Sequence, residues 1–310
     1  MKIYFNRKLR RDPWGGGAHF HSSMFDYLLE KGHHVVNKLE NNIDVIFMLD
    51  PRYELEGCDY LAIKNYKIKN PNTKILFRIN ECDLRKNTNE IDNLIIEGCK
   101  ISDKIIFISE WLQNYFQKNN LKCESKVIYN GCNQKWFYPE KNKKINRNFI
   151  RLVTHHWSDN WLKGFELYTQ LDKFLSKNKN FSFTYIGRYN KNFSPQNTKI
   201  IKPLYGKELG DELRKYDIYV TGSQNEPCGM HHIEGASSGM PVLYHFNGGA
   251  IADICKNHGE GFYNFQDFLL SLEKIINNYD FYINKIDYNI LNIQSCCEEY
   301  YKSIMEMIKT

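Results

Sequence analysis

Glu226-Pro227-Cys228-Gly229-Met230-His231-His232-Ile233-Glu234, continued by Gly235-Ala236-Ser237-Ser238-Gly239-Met240-Pro241-Val242 and then Gly248-Gly249, decides how this chain is read. Two carboxylates eight positions apart bracket a glycine able to open a helix. Gly239 closes that helix before a proline and an apolar strand. Ahead of it, Asp217-Ile218-Tyr219-Val220-Thr221 is β-branched, aromatic and short, the pattern of a buried parallel strand. Glu226 therefore stands just past a strand's carboxyl end, the edge at which open α/β sheets bind ligands. Gly229 lets the backbone come close there, and free N–H groups at a helix start attract an anion. A diphosphate between two hydroxyl-rich rings fits this layout, with one ring near each carboxylate.

Outward from that stretch, short apolar runs alternate with helical patterns twice over, which predicts two α/β units. The first half holds strands over 2–5, 44–49, 74–79, 104–109 and 126–129. The second holds strands over 150–154, 181–186, 198–201, 217–221 and 241–244. The polar, proline-led stretch from Pro139 to Asn148 separates them, so the expected organisation is a domain over 1–140, a linker over 141–149 and a domain over 150–285. Phe20, Met24, Tyr27 and Leu28 form one face of a helix stopped at Gly32, and Ile293, Cys297, Tyr301, Ile304 and Ile308 repeat at helical spacing in a terminal docking helix.

The 310 residues suit two domains better than one core. Nine cysteines, odd in number and without a C-x-x-C pair, read as reduced thiols of a cytoplasmic protein. The chain opens on a strand with no apolar signal region, and no run approaches the roughly 18 residues of a membrane span. A net charge of +6, spread through Lys/Asn stretches, implies no nucleic-acid partner. Only Arg7-Lys8-Leu9-Arg10-Arg11 is locally dense; it reads as a solvated loop, with contact to an anionic acceptor or peripherally to a membrane as the functional alternative. No Cys/His ligand spacing surrounds the paired histidines and no Asp-x-Asp is present, so no metal is expected.

The stretch from Glu226 to Glu234 resembles the Glu-x7-Glu signature of glycosyltransferase family 4, the glycogen-synthase-like enzymes with the GT-B fold. The likeness continues through Gly239-x-Pro241-Val242, Gly248-Gly249 and Asp253, and it is most specific from 217 to 253 while extending over nearly the whole chain. It implies two Rossmann-like parallel-sheet domains facing across a cleft, with residues 286–310 as a helix crossing back to the first domain. It also implies hexosyl transfer with retention from a nucleotide-diphosphate sugar, a co-substrate rather than a cofactor, to a saccharide, lipid-linked or other hydroxyl acceptor, without metal.

By that resemblance Glu226 orients the sugar and Glu234 holds the ribose, while the N–H groups of Gly229 and Met230 meet the diphosphate. Lys163, in Lys163-Gly164 at a helix start, resembles the family's phosphate lysine. Gly16 and Gly17, in the turn Asp12-Pro13-Trp14-Gly15-Gly16-Gly17, are similar to the glycine-rich loop near the donor phosphates; a plain tight turn is the alternative. A third glycine for a dinucleotide fingerprint is missing, because Phe20 stands in its place. Val127-Ile128-Tyr129-Asn130-Gly131 and Phe137-Tyr138-Pro139 resemble the family's exit into the linker.

The chain departs from the family at three places. Ser158 replaces an arginine, for which Arg188, His155 or His156 could substitute. No histidine follows the strand at Arg78-Ile79-Asn80-Glu81-Cys82-Asp83, where Asn80 and Asp83 either take its place or cap the loop. Cys228 replaces an aromatic residue beside the donor. The missing arginine and histidine keep a second reading open, a catalytically degenerate GT-B nucleotide- or glycan-binding protein, and a nucleotide-sugar epimerase on the same architecture is a third.

Overall fold

The structure is a computed structural model that describes all residues but 12–14, 54–56, 142 and 310. The Asp12-Pro13-Trp14 part of the first glycine-rich turn thus lies outside the described residues. Two compact units divide the chain, one formed by Met1–Asn130 with Ile293–Thr310 and the other by Gly131–Asn292.

In the first unit the chain runs β1 (Lys2–Phe5), α1 (Gly16–Glu30), β2 (His34–Val36), β3 (Val45–Met48), α2 (Tyr60–Lys69), β4 (Lys74–Ile79), α3 (Asp83–Lys86), α4 (Ile91–Lys100), β5 (Lys104–Phe107), α5 (Glu110–Lys118) and β6 (Lys126–Val127). The sheet is parallel throughout, in the order β2-β1-β3-β4-β5-β6. Every residue of β3 is buried, as a strand covered on both faces requires.

The second unit runs β7 (Ile150–His156), a 3₁₀ turn (Trp161–Lys163), α6 (Phe165–Lys177), β8 (Phe181–Gly187), β9 (Lys199–Ile201), α7 (Gly206–Leu213) and β10 (Ile218–Thr221). It continues through α8 (Met230–Ser237), β11 (Val242–His245), α9 (Ala250–Cys255), β12 (Gly259–Phe262), α10 (Phe265–Asn277) and α11 (Tyr279–Ile283). Its sheet, also parallel, has the order β12-β11-β10-β7-β8-β9. Two sheets of this kind are the α/β architecture expected. The strands that periodicity does not reveal, β2 and β12, each lie at one edge of a sheet; one is three residues long and the other, Gly-Glu-Gly-Phe, is interrupted by glycine.

The final helix, α12 (Ile293–Lys309), belongs to the first unit, where Ile293, Cys296, Cys297, Tyr300, Ile304 and Met307 pack on Phe20, Met24 and Leu28 of α1. Its buried stripe is rotated from the expected one, leaving Tyr301 half-buried and Ile308 exposed. It begins at Ile293 rather than 286. The unit boundary falls at Asn130–Gly131, not after residue 140, because the intervening chain is tied to the second unit. Cys132 N–H donates to Leu291 O at 2.8 Å and Arg214 Nη1 donates to Trp136 O at 2.8 Å. The expected linker is tied there too, with the Lys143 ammonium donating to the carbonyls of Arg214 and Tyr216. Among the described residues no helix is long and apolar enough to cross a membrane.

Candidate active site

In the second unit the chain leaves β7 toward β8 and β9 on one side, then returns to build β10, β11 and β12 on the other. The carboxyl ends of β7 and β10 therefore flank the switch point, where such a sheet leaves a crevice. Lys163, Glu226, Gly229, Met230 and Glu234 all belong to the segments leaving these two strand ends.

Lys163 is presented by the 3₁₀ turn, whose Leu162 N–H donates to the Asn160 Oδ1 cap at 2.9 Å. Gly164, at φ 103°, then lies against Gly222: a Cβ on Gly164 would stand 2.6 Å from Gly222 Cα. Only two glycines let these loops touch, and Gln224 N–H seals the contact by donating to Leu162 O at 2.9 Å. The result is an ion pair between Lys163 Nζ and Glu226 Oε1, with side chains 14% and 3% exposed. Ser223 Oγ donates to the same carboxylate oxygen at 2.9 Å. Glu226 is held from the other side by its backbone, which bridges to Gly249 and accepts from Ala250 N–H at 2.8 Å.

Gly229 precedes α8 and offers no side-chain cap, and the first turn contains no acidic residue. An uncapped helix start of this kind leaves N–H donors and a partial positive charge to an anion. One turn further on, Glu234 Oε2 lies 2.7 Å from His155 Nε2 at the end of β7. Tyr219 OH lies 3.1 Å from His155 Nδ1 and accepts from His155 N–H at 3.1 Å.

Three more imidazoles are buried around this edge. His156 Nε2 meets Tyr168 OH at 2.8 Å, His231 Nε2 meets Thr221 Oγ1 at 3.0 Å, and the two rings lie 4.6 Å apart. Burial, with the nearby Lys163 charge second, holds His156 well below the usual histidine range. Burial, then the His156 ring, does the same for His231. His232 is pushed down to about 3 by burial, against the opposing pull of Glu226. These three rings are neutral at pH 7. Of the candidate substitutes for the missing arginine, His156 is thus sealed against Tyr168 and His155 is bound to Glu234. Arg188 follows β8 and stacks its guanidinium 4.4 Å over the Trp157 ring. Cys228 is buried, 6% exposed.

In the first unit, Gly16 opens α1 and Gly17 faces Asn80, whose Nδ2 would be 3.7 Å from a Cβ on Gly17. Asp83 is a loop cap, accepting from Thr88 Oγ1, Ile91 N–H and Asp92 N–H at 2.5–3.1 Å. Sequence reasoning missed Ser223 and the Tyr219–His155–Glu234 chain; 79 residues separate His155 from Glu234, and no local pattern links them.

No family model matches the chain, and neither does any curated protein. Solved structures do share its fold. Sucrose-phosphate synthase from Thermosynechococcus elongatus is 12% identical over 99% of each chain, with a TM-score of 0.73. A glycosyltransferase from Rickettsia africae is 16% identical over 100% of this chain and 99% of its own, with a TM-score of 0.72. HepE of Anabaena, in complex with UDP and glucose, is 13% identical over 99% of this chain and 100% of its own, with a TM-score of 0.69. The chain has the GT-B fold of these glycosyltransferases.

Proposed function

We propose that the protein is a retaining glycosyltransferase that moves a hexosyl group from a nucleotide-diphosphate sugar to a hydroxyl acceptor without a metal ion. The observation that carries this reading is the Lys163–Glu226 ion pair beside the uncapped start of α8, with Glu234 one turn further on. HepE, a neighbour of the same fold, is described with UDP and glucose.

The arriving diphosphate takes the Lys163 ammonium and the N–H groups of Gly229 and Met230, which frees Glu226 to accept from sugar hydroxyls. The bond from the anomeric carbon to the phosphate oxygen then breaks, and its electron pair leaves with the nucleoside diphosphate. Lys163 and the helix dipole stabilise that developing charge. The acceptor oxygen bonds to the anomeric carbon on the face the phosphate leaves, and the hydroxyl proton passes to a phosphate oxygen. Glu226 binds and orients here rather than acting as nucleophile. Gly16 and Gly17 near the donor phosphates, Asn80 in place of the family's histidine, Arg188 in place of its arginine and Cys228 beside the donor are part of the same proposal.

Thermal unfolding with uridine, guanosine and adenosine diphosphate sugars in the presence of a chelator tests it. One donor should stabilise the fold by about 2.7 kcal/mol at a hundredfold excess over Kd. Lys163→Ala and Glu234→Ala should each lose that shift, and the same donor should support transfer or slow hydrolysis. Absence of any donor effect sinks the reading, and binding without turnover favours the degenerate binding protein.

A further inference from the structure

We propose that His155 is a positioning residue for nucleotide recognition, holding Glu234 in the one orientation that reads a ribose diol. This role presupposes the nucleoside-diphosphate reading of the site.

Three groups make up a continuous chain of hydrogen bonds from α8 to the sheet. An ionised carboxylate only accepts, so His155 Nε2, 2.7 Å from Glu234 Oε2, is the donor. The other ring nitrogen, Nδ1, lies 3.1 Å from Tyr219 OH, whose proton has Nδ1 and the His155 carbonyl oxygen, 3.3 Å away, as its two acceptors. Burial raises the Tyr219 pKa well above its ordinary value, so the phenol keeps that proton. The phenol oxygen in turn accepts from the His155 backbone N–H at 3.1 Å, which ties the ring to its own strand end. Tyr219 lies on β10 and His155 on β7, adjacent strands of the sheet core. The chain of bonds thus anchors a flexible glutamate on α8 to the most rigid part of the unit.

A glutamate has three rotatable side-chain bonds, and its carboxylate can turn away from a ligand. With Oε2 held by His155, the swing of the carboxylate is restrained and Oε1 is left to accept from ligand hydroxyls. Two vicinal hydroxyls gain most from a carboxylate so fixed, because neither has to order it on binding. A ligand without them gains nothing from His155. The residue therefore acts on ribose selectivity and leaves the diphosphate contacts of Lys163 and α8 unchanged.

Binding is measured by calorimetry with UDP, ADP and GDP, and then with the 2′,3′-dideoxy form of whichever binds. Wild type should prefer the ribonucleotide by about ten- to a hundredfold, the loss expected for a hydrogen bond to a charged group. His155→Ala should lose most of that preference while binding the dideoxy ligand within about twofold of wild type. His155→Gln, which keeps an N–H donor, should restore part of it. Should His155→Ala fail to fold, Tyr219→Phe serves instead, with loss of ribose preference expected. If wild type binds none of the three nucleotides, the donor reading falls and this role with it. If His155→Ala keeps the full preference, or weakens both ligands equally, the positioning role alone is overturned.

Discussion

The two sheets offer the same topological feature and treat it in opposite ways. In the first unit the order β2-β1-β3 puts a switch point between β1 and β3, as β7 and β10 do in the second. At the first, Asn6 fills the position after β1. It is fully buried, its Oδ1 accepts from Leu49 N–H at 2.7 Å, and its Nδ2 donates to the carbonyls of Asp50 at 2.6 Å and Cys58 at 2.8 Å. That amide is saturated by backbone and staples the strand end shut. At the second, the strand ends and the segments leaving them carry ionisable side chains paired with one another, Lys163 with Glu226 and His155 with Glu234. A ligand can exchange for a side-chain partner far more readily than for a buried backbone bond. Switch-point topology therefore permits a site, and the kind of polar group placed there decides whether one is kept available.

Acid should separate the two units most strongly. His156, His231 and His232 are buried in the second unit, where His258 is also held near about 4 by burial; among the described residues His21, at about 4, is the buried histidine of the first. Each folded value lies below the ordinary 6.5, so between those limits the unfolded chain binds more protons. Stability is therefore full above about pH 6.5 and declines as pH falls, by about 1.4 kcal/mol per pH unit for a ring that stays neutral in the fold, down to about 4 for His21 and His258 and to about 3 for His232. Hydrogen exchange at pH 7 and pH 5 should show protection falling by several kcal/mol more in the second unit, and equal losses would remove the contrast.

Next in size, Glu226→Gln should lower turnover by about a hundredfold or more with the fold retained. Full activity in this variant would show that the paired carboxylate is structural, like Asn6. Conversely, Asn6→Ala should cost about 2 to 4 kcal/mol in urea unfolding, because it leaves buried backbone groups unpaired. A change in nucleotide affinity without loss of stability would place Asn6 in a ligand site after all. The smallest effect sharpens the role of close loop contact. Gly15→Ala, at φ 100° and ψ 178° with no atom within 4 Å of the new Cβ, should cost about 1 to 3 kcal/mol of backbone strain. Gly164→Ala adds the collision with Gly222, and should exceed Gly15→Ala by at least about 1 kcal/mol in thermal unfolding while weakening donor binding.

Much of this molecule is written locally. Strands such as Lys74–Ile79 and Lys2–Phe5, the start of α8 at Gly229 and the two-unit α/β plan follow from apolar runs, turn glycines and helix starts that act over a few residues. Of the four edge strands, β2 and β12 escaped because one has three residues and the other is interrupted by glycine, so neither carries a continuous apolar run. The unit boundary and the register of the last helix depended on which surface each segment met, as Trp136 and Tyr300 show. The sequence by itself also placed Glu226, Glu234 and Lys163 near strand ends and helix starts. Only the tertiary structure decided their partners. Parallel pairing of β7 with β10 and the contact of Gly164 with Gly222 bring together residues 63 and 79 positions apart. Such partnerships are set by sheet order and loop closure, which no local pattern encodes.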